Sequence, residues 1–187
     1  MKFTSFLPLG LSALTLAAPT PTVEEKRRTL AKRAASLTDV PDTGYATQNG
    51  GTTGGNGGTT TTVSSFAQFT AAVADDNARI VVVSGPIAAT GNVKIGSNKS
   101  VIGKDSSAKL SGFTLTVKGV KNVIIRNLAI SKVVGGDAVA IQKAQNVWID
   151  HLDLSSDRDH DKDYYDGLLD ITHAVDYVTV TNTYRAS

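Results

Sequence analysis

Between positions 157 and 170 the sequence reads DRDHDKDYYDGLLD, which places six aspartates in fourteen residues. Carboxylates this dense repel one another unless water, a cation or a shared proton compensates them. Three chemistries fit such a run. It is a solvated acidic loop, the usual fate of a short charged stretch; or a site for a hard cation such as calcium, which takes several oxygen ligands; or a pair of carboxyl groups working as acid and base in sugar hydrolysis. An EF-hand is excluded by the residues themselves. Counting from Asp157, Lys162 stands where that loop needs glycine and Leu168 where it needs glutamate.

The elements that must hold this run are short strands. RIVVVSGPI, KSVIG, FTLTVKG, KNVIIRNLAI, QNVWIDHLDL and DYVTVTNTY are β-branched or apolar runs broken by glycine, asparagine and aspartate. Several repeat: Asn122 to Leu128 aligns with Asn146 to Leu152 at an offset of 24, and Val178 follows Val147 by 31. One strand per irregular repeat of this length marks a solenoid. Connections this long, without Asn-Gly or Asp-Gly hairpins between the repeated strands, favour a parallel β-helix over a sandwich.

Stacking equivalent positions predicts one interior row of Val123, Val147 and Val178 and a second row of Asn127, His151 and Asn182. In the second row side-chain amides bond from coil to coil, which gives His151 a structural role in preference to a catalytic one. Trp148 is expected to point outward or to line a groove.

Upstream, GYATQNGGTTGGNGGTTTT (44–62) has the composition of a flexible linker, although glycine equally lets a backbone pass close to another surface. The next segment has helical spacing. Phe66, Phe69, Val73 and Ala74 share a face behind Ser64 or Ser65 as N-cap, so a short capping helix is expected.

Residues 1–18 resemble a secretory signal peptide, with Lys2, an apolar run from Phe6 to Leu16 and small residues at 17 and 18. That run is too short to span a bilayer. Residues 19–33 end in Lys32-Arg33 and read as a pro-segment, leaving a domain from 34 to 187. Residues 1–33 carry six basic side chains against two acids, so +4 of the chain's net +2 resides there and residues 34–187 stand at −2. A mildly acidic domain argues against a nucleic-acid partner. The chain has no cysteine, so packing alone must hold it. Asn98-Lys99-Ser100 is a glycosylation sequon.

The run from GYATQNGGTTGG through SNKSVIGKDSSAKLSG, KNVIIRNLAI, VWIDHLDLSSD and DYYDGLLDITHAVDYVTV resembles the secreted fungal pectate lyases of polysaccharide lyase family 1, over about residues 44–184. The resemblance implies an all-β, right-handed parallel β-helix whose groove binds polygalacturonate, cleaved by calcium-assisted β-elimination. It implies calcium ligands at Asp137 in GGDAVAI and at Asp166 and Asp170 in DGLLD, leaving Asp157, Asp159, Asp161 and Asp163 to a solvated loop. Four residues of straight strand span about 13 Å, so for Asp166 and Asp170 to share one ion the chain must bend, and Gly167 allows it. Some family members carry another acid where this chain has Gly135, which predicts a weaker cage.

The family's catalytic base is an arginine that falls beyond Ser187, so no catalytic residue is assigned here and Arg185 is not promoted to that role. A partial solenoid, open at its last coil, is expected to be of low stability or to self-associate; full-length members are expected to be monomers. Three alternatives stay open: a chain that binds calcium and pectate without cleaving, a pectin lyase acting on methylated substrate without calcium, and a hydrolytic polygalacturonase.

Overall fold

A computed structural model describes residues 36–160 and 164–186. The leader and pro-segment expectations, and Asp161 and Asp163, lie outside these residues. In chain order the elements are β1 (Thr59–Val63), α1 (Phe66–Val73), β2 (Arg79–Val83), β3 (Pro86–Lys94), β4 (Lys99–Gly103), β5 (Lys109–Lys118), β6 (Lys121–Ser131), β7 (Val139–Gln142), β8 (Gln145–Ser155), β9 (Leu169–Thr172), β10 (Asp176–Thr181) and β11 (Tyr184–Ala186). The named strands pair in parallel and wind into a β-solenoid with three faces.

The first face stacks β1, β2, β4 and the leading halves of β6 and β8 under β10. The second stacks the start of β5 and the trailing halves of β6 and β8 with β11. The third stacks the end of β3, the end of β5, β7 and β9. Each long strand turns a corner within itself. In β6 and β8 the turning residue is Asn127 (φ 55°) and His151 (φ 50°), and between β10 and β11 it is Asn182 (φ 47°). Asparagine and histidine are among the side chains that tolerate the left-handed region best.

The 24- and 31-residue offsets reappear as strand register, with Val123 on Val147 and Val147 on Val178. Val123 and Val147 are fully buried and Val178 packs against the same core. The second expected row exists as a corner, but its amides do not bond to one another. Asn127 Nδ2 donates to the Gly103 carbonyl at 2.7 Å and Asn182 Nδ2 to Asp150 Oδ1 at 3.0 Å. The amide ladder lies at the next corner. There Asn98, Asn122 and Asn146 share φ values of 57°, 61° and 54°, and Asn122 Nδ2 donates to Asn98 Oδ1 at 2.9 Å. The sequon is part of this ladder: Asn98 Nδ2, the atom a glycan needs, donates to the Asp76 carbonyl at 3.0 Å.

The glycine-rich segment is not a free linker. It lies flat on the outer side of the first face, where a Cβ on Gly54 would strike Ser100 and one on Gly55 or Gly58 would strike the backbone of Arg79 or Ala78. Asn122 Oδ1 receives the amides of Thr53 and Gly54, both at 2.7 Å. Asn146 Nδ2 donates to the carbonyls of Gln48 and Gly51. Thus the ladder that fixes one corner also fixes the strap, and the end of the segment becomes β1.

α1 covers the open end of the core, with Ser65 as N-cap accepting the Gln68 amide at 3.3 Å. Phe69, Ala72 and Val73 are buried, while Phe66 and Phe69 pack on the Phe113 ring. Ala74, expected on the buried face, is instead the exposed C-cap, because the helix stops at Val73. Lys99, fully buried in the row below Val123, reaches the carbonyls of Asp75 (2.6 Å) and Asn77 (2.5 Å) beyond the helix C-terminus, where a cation is favoured.

Candidate metal site

Two connections meet beside the second and third faces: residues 132–138 between β6 and β7, and 156–168 between β8 and β9. Register puts Val139 on Leu169 and Ala140 on Asp170. Asp137, two residues before β7, therefore stands over the segment that carries Asp166 and Gly167, with Asp170 just inside β9. Asp166 is exposed, and Asp137 and Asp170 are half-buried. The bend required between Asp166 and Asp170 is present, since residues 166–168 are irregular and β9 begins only at Leu169.

Gly167 contributes by clearance more than by turning. A Cβ at this position would come within 2.5 Å of Asp137 Oδ1, so the Asp137 carboxyl rests against a bare Cα.

The three expected ligands form one electrostatic unit. Burial, and then the negative charges of Asp166 and Asp170, push the Asp137 carboxyl above its ordinary value. A carboxyl raised by two carboxylate neighbours binds a proton or a cation in relief. The donors are all hard oxygens, the set that calcium takes. They are held apart: among the described residues no group of three or more His, Cys, Asp or Glu side chains stands close enough together to hold an ion. The residues match calcium in donor type and charge, and the open cluster they form is wider than a bound ion requires.

Asp157 departs from its expected place in a solvated loop. It accepts from Tyr165 Oη at 3.0 Å, lies 3.2 Å from Lys132 Nζ and 2.9 Å from His160 Nδ1. His160 first, then Lys132 and Tyr165, hold its carboxyl well below the ordinary range against the opposing effect of burial. The same junction carries an antiparallel bridge from Val134 to Tyr165, and the Gly135 amide donates to the Tyr164 carbonyl. His160 stacks on Tyr164 with ring centroids 3.9 Å apart. Asp157 thus ties together the two connections that carry the acidic cluster. Its signal in the sequence is the tyrosine pair beside the aspartates, which charge alone does not single out.

His151 is remote from this chemistry, on the corner between the first and second faces. Its Nδ1 is 2.7 Å from Asp150 Oδ2, and Arg126 Nε bonds the same oxygen at 2.9 Å. Burial pushes the Asp150 carboxyl up, but hydrogen bonds from Asn182, His151 and Thr181 more than reverse it, so it ends below its ordinary value. Arg126 also pairs with Asp39, just upstream of the strap, and lies 4.4 Å above the Trp148 ring. Trp148 points outward as expected, yet it is covered: it packs with Ala46 and Ile124 and donates to Thr181. These groups fasten the strap to the solenoid. Arg185 pairs with Leu154 on the second face and is exposed.

The sequence matches the pectate lyase family over residues 29–186. It is 62% identical over 188 residues to "Probable pectate lyase A" of Aspergillus flavus, covering 98% of this chain and 56% of that protein. Pectate lyase A of Aspergillus niger is 60% identical over 172 residues, 90% of this chain and 51% of the relative. Among solved structures, a pectate lyase from Bacillus sp. N165 in complex with trigalacturonate superposes with a TM-score of 0.68 at 32% identity, over 75% of this chain and 51% of its own. The chain spans about half the length of these relatives. On the family match, the parallel solenoid and these identities, the chain belongs to the pectate lyase family.

Proposed function

We propose that this chain carries the calcium- and polygalacturonate-binding part of a secreted pectate lyase, an enzyme that cleaves (1,4)-α-D-galacturonan by β-elimination. The observation that carries the reading is the acidic cluster: burial and then two carboxylate neighbours raise a third, half-buried carboxyl, which rests against the bare Cα of a glycine. Such an arrangement is unfavourable by itself and suits a site completed by a cation and an anionic substrate.

Asp137, Asp166 and Asp170 hold the ion in this account. An ion held by these carboxylates would supply Lewis-acid chemistry, drawing charge from a uronate carboxylate and acidifying its C5 proton. The Asp157 junction with Lys132 and Tyr165 keeps both connections in register with β7 and β9, and Thr172 Oγ1, donating to Asp170 Oδ2 at 3.2 Å, orients that carboxylate. The half-buried row at the end of the second face, Ser131 beside Ser155, offers hydroxyls to a sugar chain lying along the stack. C5 proton removal is assigned to no residue of this chain.

Retention of all three carboxylates favours pectate over methylated pectin, because a neutral ester has no use for a charged cage. The test is ultraviolet absorbance of unsaturated product from polygalacturonate, with calcium and with chelator, on the purified chain. A calcium-dependent rise establishes elimination. Calcium and pectate binding without product establishes a binding chain. Reducing ends without ultraviolet absorbance establish hydrolysis and refute the lyase reading.

A further inference from the structure

The corner where the third face turns into the first carries an open groove of about 410 Å³ that runs from coil to coil and is lined by Ser97, Lys121, Lys143 and Gln145. It lies at the far edge of the third face from the acidic cluster: Asp137 precedes the first residue of β7, and Lys143 follows its last.

Lys143 adopts an uncommon backbone. Register aligns Lys118, Gln142 and Thr172, so Gly119, Lys143 and His173 hold the same corner position in successive coils, with φ of 68°, 49° and 59°. Glycine accepts this left-handed geometry without strain, whereas lysine does so rarely. Left-handed corners recur through this solenoid, at Asn98, Asn122 and His151 among others, so the fold sets this geometry. Packing of the side chain does not account for lysine here, since Lys143 is exposed.

Lys121 is exposed as well, and in the next coil it is paired with Gln145. Among the described residues neither ammonium has a carboxylate at ion-pair distance. Of the acids at the rim, Asp76 accepts the Ser97 amide at 2.6 Å and Asp176, in register with Gln145, accepts the Tyr177 amide at 2.8 Å, so the cations stand in the two middle coils. Coils stack about 4.8 Å apart. A linear polymer lying in the groove therefore meets the Ser97 hydroxyl in one coil, the Lys121 ammonium in the next, and the Lys143 ammonium and Gln145 amide in the third.

We propose that this groove is a second polyuronate-binding site, independent of calcium, in which Lys121 and Lys143 hold carboxylates of a linear acidic polysaccharide while Ser97 and Gln145 bond its hydroxyls. The inference takes polygalacturonate as the polymer class from the function proposed above. Its contribution is retention on an anionic polymer, separate from the chemistry at the acidic cluster.

The test is electrophoresis of the whole chain through native gels containing polygalacturonate, with EDTA throughout. The native chain is retarded, and Lys121→Gln/Lys143→Asn weakens retardation about tenfold. Asparagine keeps the left-handed corner, and an unchanged melting temperature shows that the fold persists. Gels with fully methyl-esterified pectin show no lysine-dependent retardation. Equal retardation of native and variant chains overturns the proposal, as does equal lysine-dependent retardation by dextran sulfate, which marks a general polyanion surface. Asp170→Asn separates the two sites: it abolishes the calcium-dependent signal and leaves retardation in EDTA intact. Lysine-dependent retardation with no calcium binding refutes only the function proposed for the acidic cluster.

Discussion

Gly167→Ala adds one methyl group where its Cβ would sit 2.5 Å from Asp137 Oδ1. That is too close for a carbon and an oxygen, and the movable partner is the end of a side chain, so the Asp137 carboxyl gives way. Turning it about 30° from its well costs on the order of 0.5–1.5 kcal/mol, a modest loss because Gly167 is exposed and its backbone lies outside the left-handed region. Calcium affinity suffers more. Displacing a group that orients a ligand typically weakens a metal site by about 10–100-fold. The assay is calorimetric titration of the chelator-stripped chain with calcium, beside a thermal melt in EDTA. The expected result is a melting temperature within a few degrees of native and a dissociation constant raised by at least about tenfold. If Gly167→Ala binds calcium as the native chain does, while Asp137→Asn also leaves binding unchanged, Asp137 is not a ligand and the reasoning from clearance fails.

Gly135→Asp tests the weaker cage: a Cβ at Gly135 meets nothing within 4 Å, and aspartate tolerates the left-handed φ of 68°, so calcium titration should show tighter binding than native. Asn122→Ala removes the acceptor of the Thr53 and Gly54 amides and the rung to Asn98, and urea unfolding should show a loss of about 2–3 kcal/mol. Asp75, paired with Lys99 and Arg79, has its carboxyl lowered to about 2, chiefly by its hydrogen bond to Lys99. A lowered acid stabilises the fold above its unfolded value of 3.8 and loses that contribution as pH falls toward 2. The gap in melting temperature between native and Asp75→Asn chains should therefore be open at pH 5 and close progressively below about pH 4. Asp157→Asn breaks the Lys132 and Tyr165 junction, and limited proteolysis should cut between 156 and 168 faster than in the native chain.

The solenoid was legible because its strand cores repeat in chemistry as well as spacing: the Val-x-Ile pattern at 123–125 recurs at 147–149 and sets the parallel register directly. β7 and β9 were not, since VAIQ and LDIT are four residues each and carry no flanking signal that separates them from a loop. The segment from 44 to 62 misleads by composition. Gly54, Gly55 and Gly58 are there for close approach to the first face, and nothing local distinguishes that from flexibility. Corner geometry was also hidden: a run such as WIDHLDL reads as one strand, and only the left-handed φ of His151 reveals two faces within it. At the acidic cluster the family motif picked out Asp137, Asp166 and Asp170, whereas the role of Asp157 depends on Lys132 and Tyr165 arriving from two connections, a juxtaposition that spacing does not encode.

The most direct test of the calcium account is to locate the ion. A crystal of this chain grown with calcium, or with a lanthanide in its place, should show one strong anomalous peak bounded by the carboxylates of Asp137, Asp166 and Asp170. A peak at Asp157 and Asp159 instead, or none at the cluster under saturating metal, would contradict it.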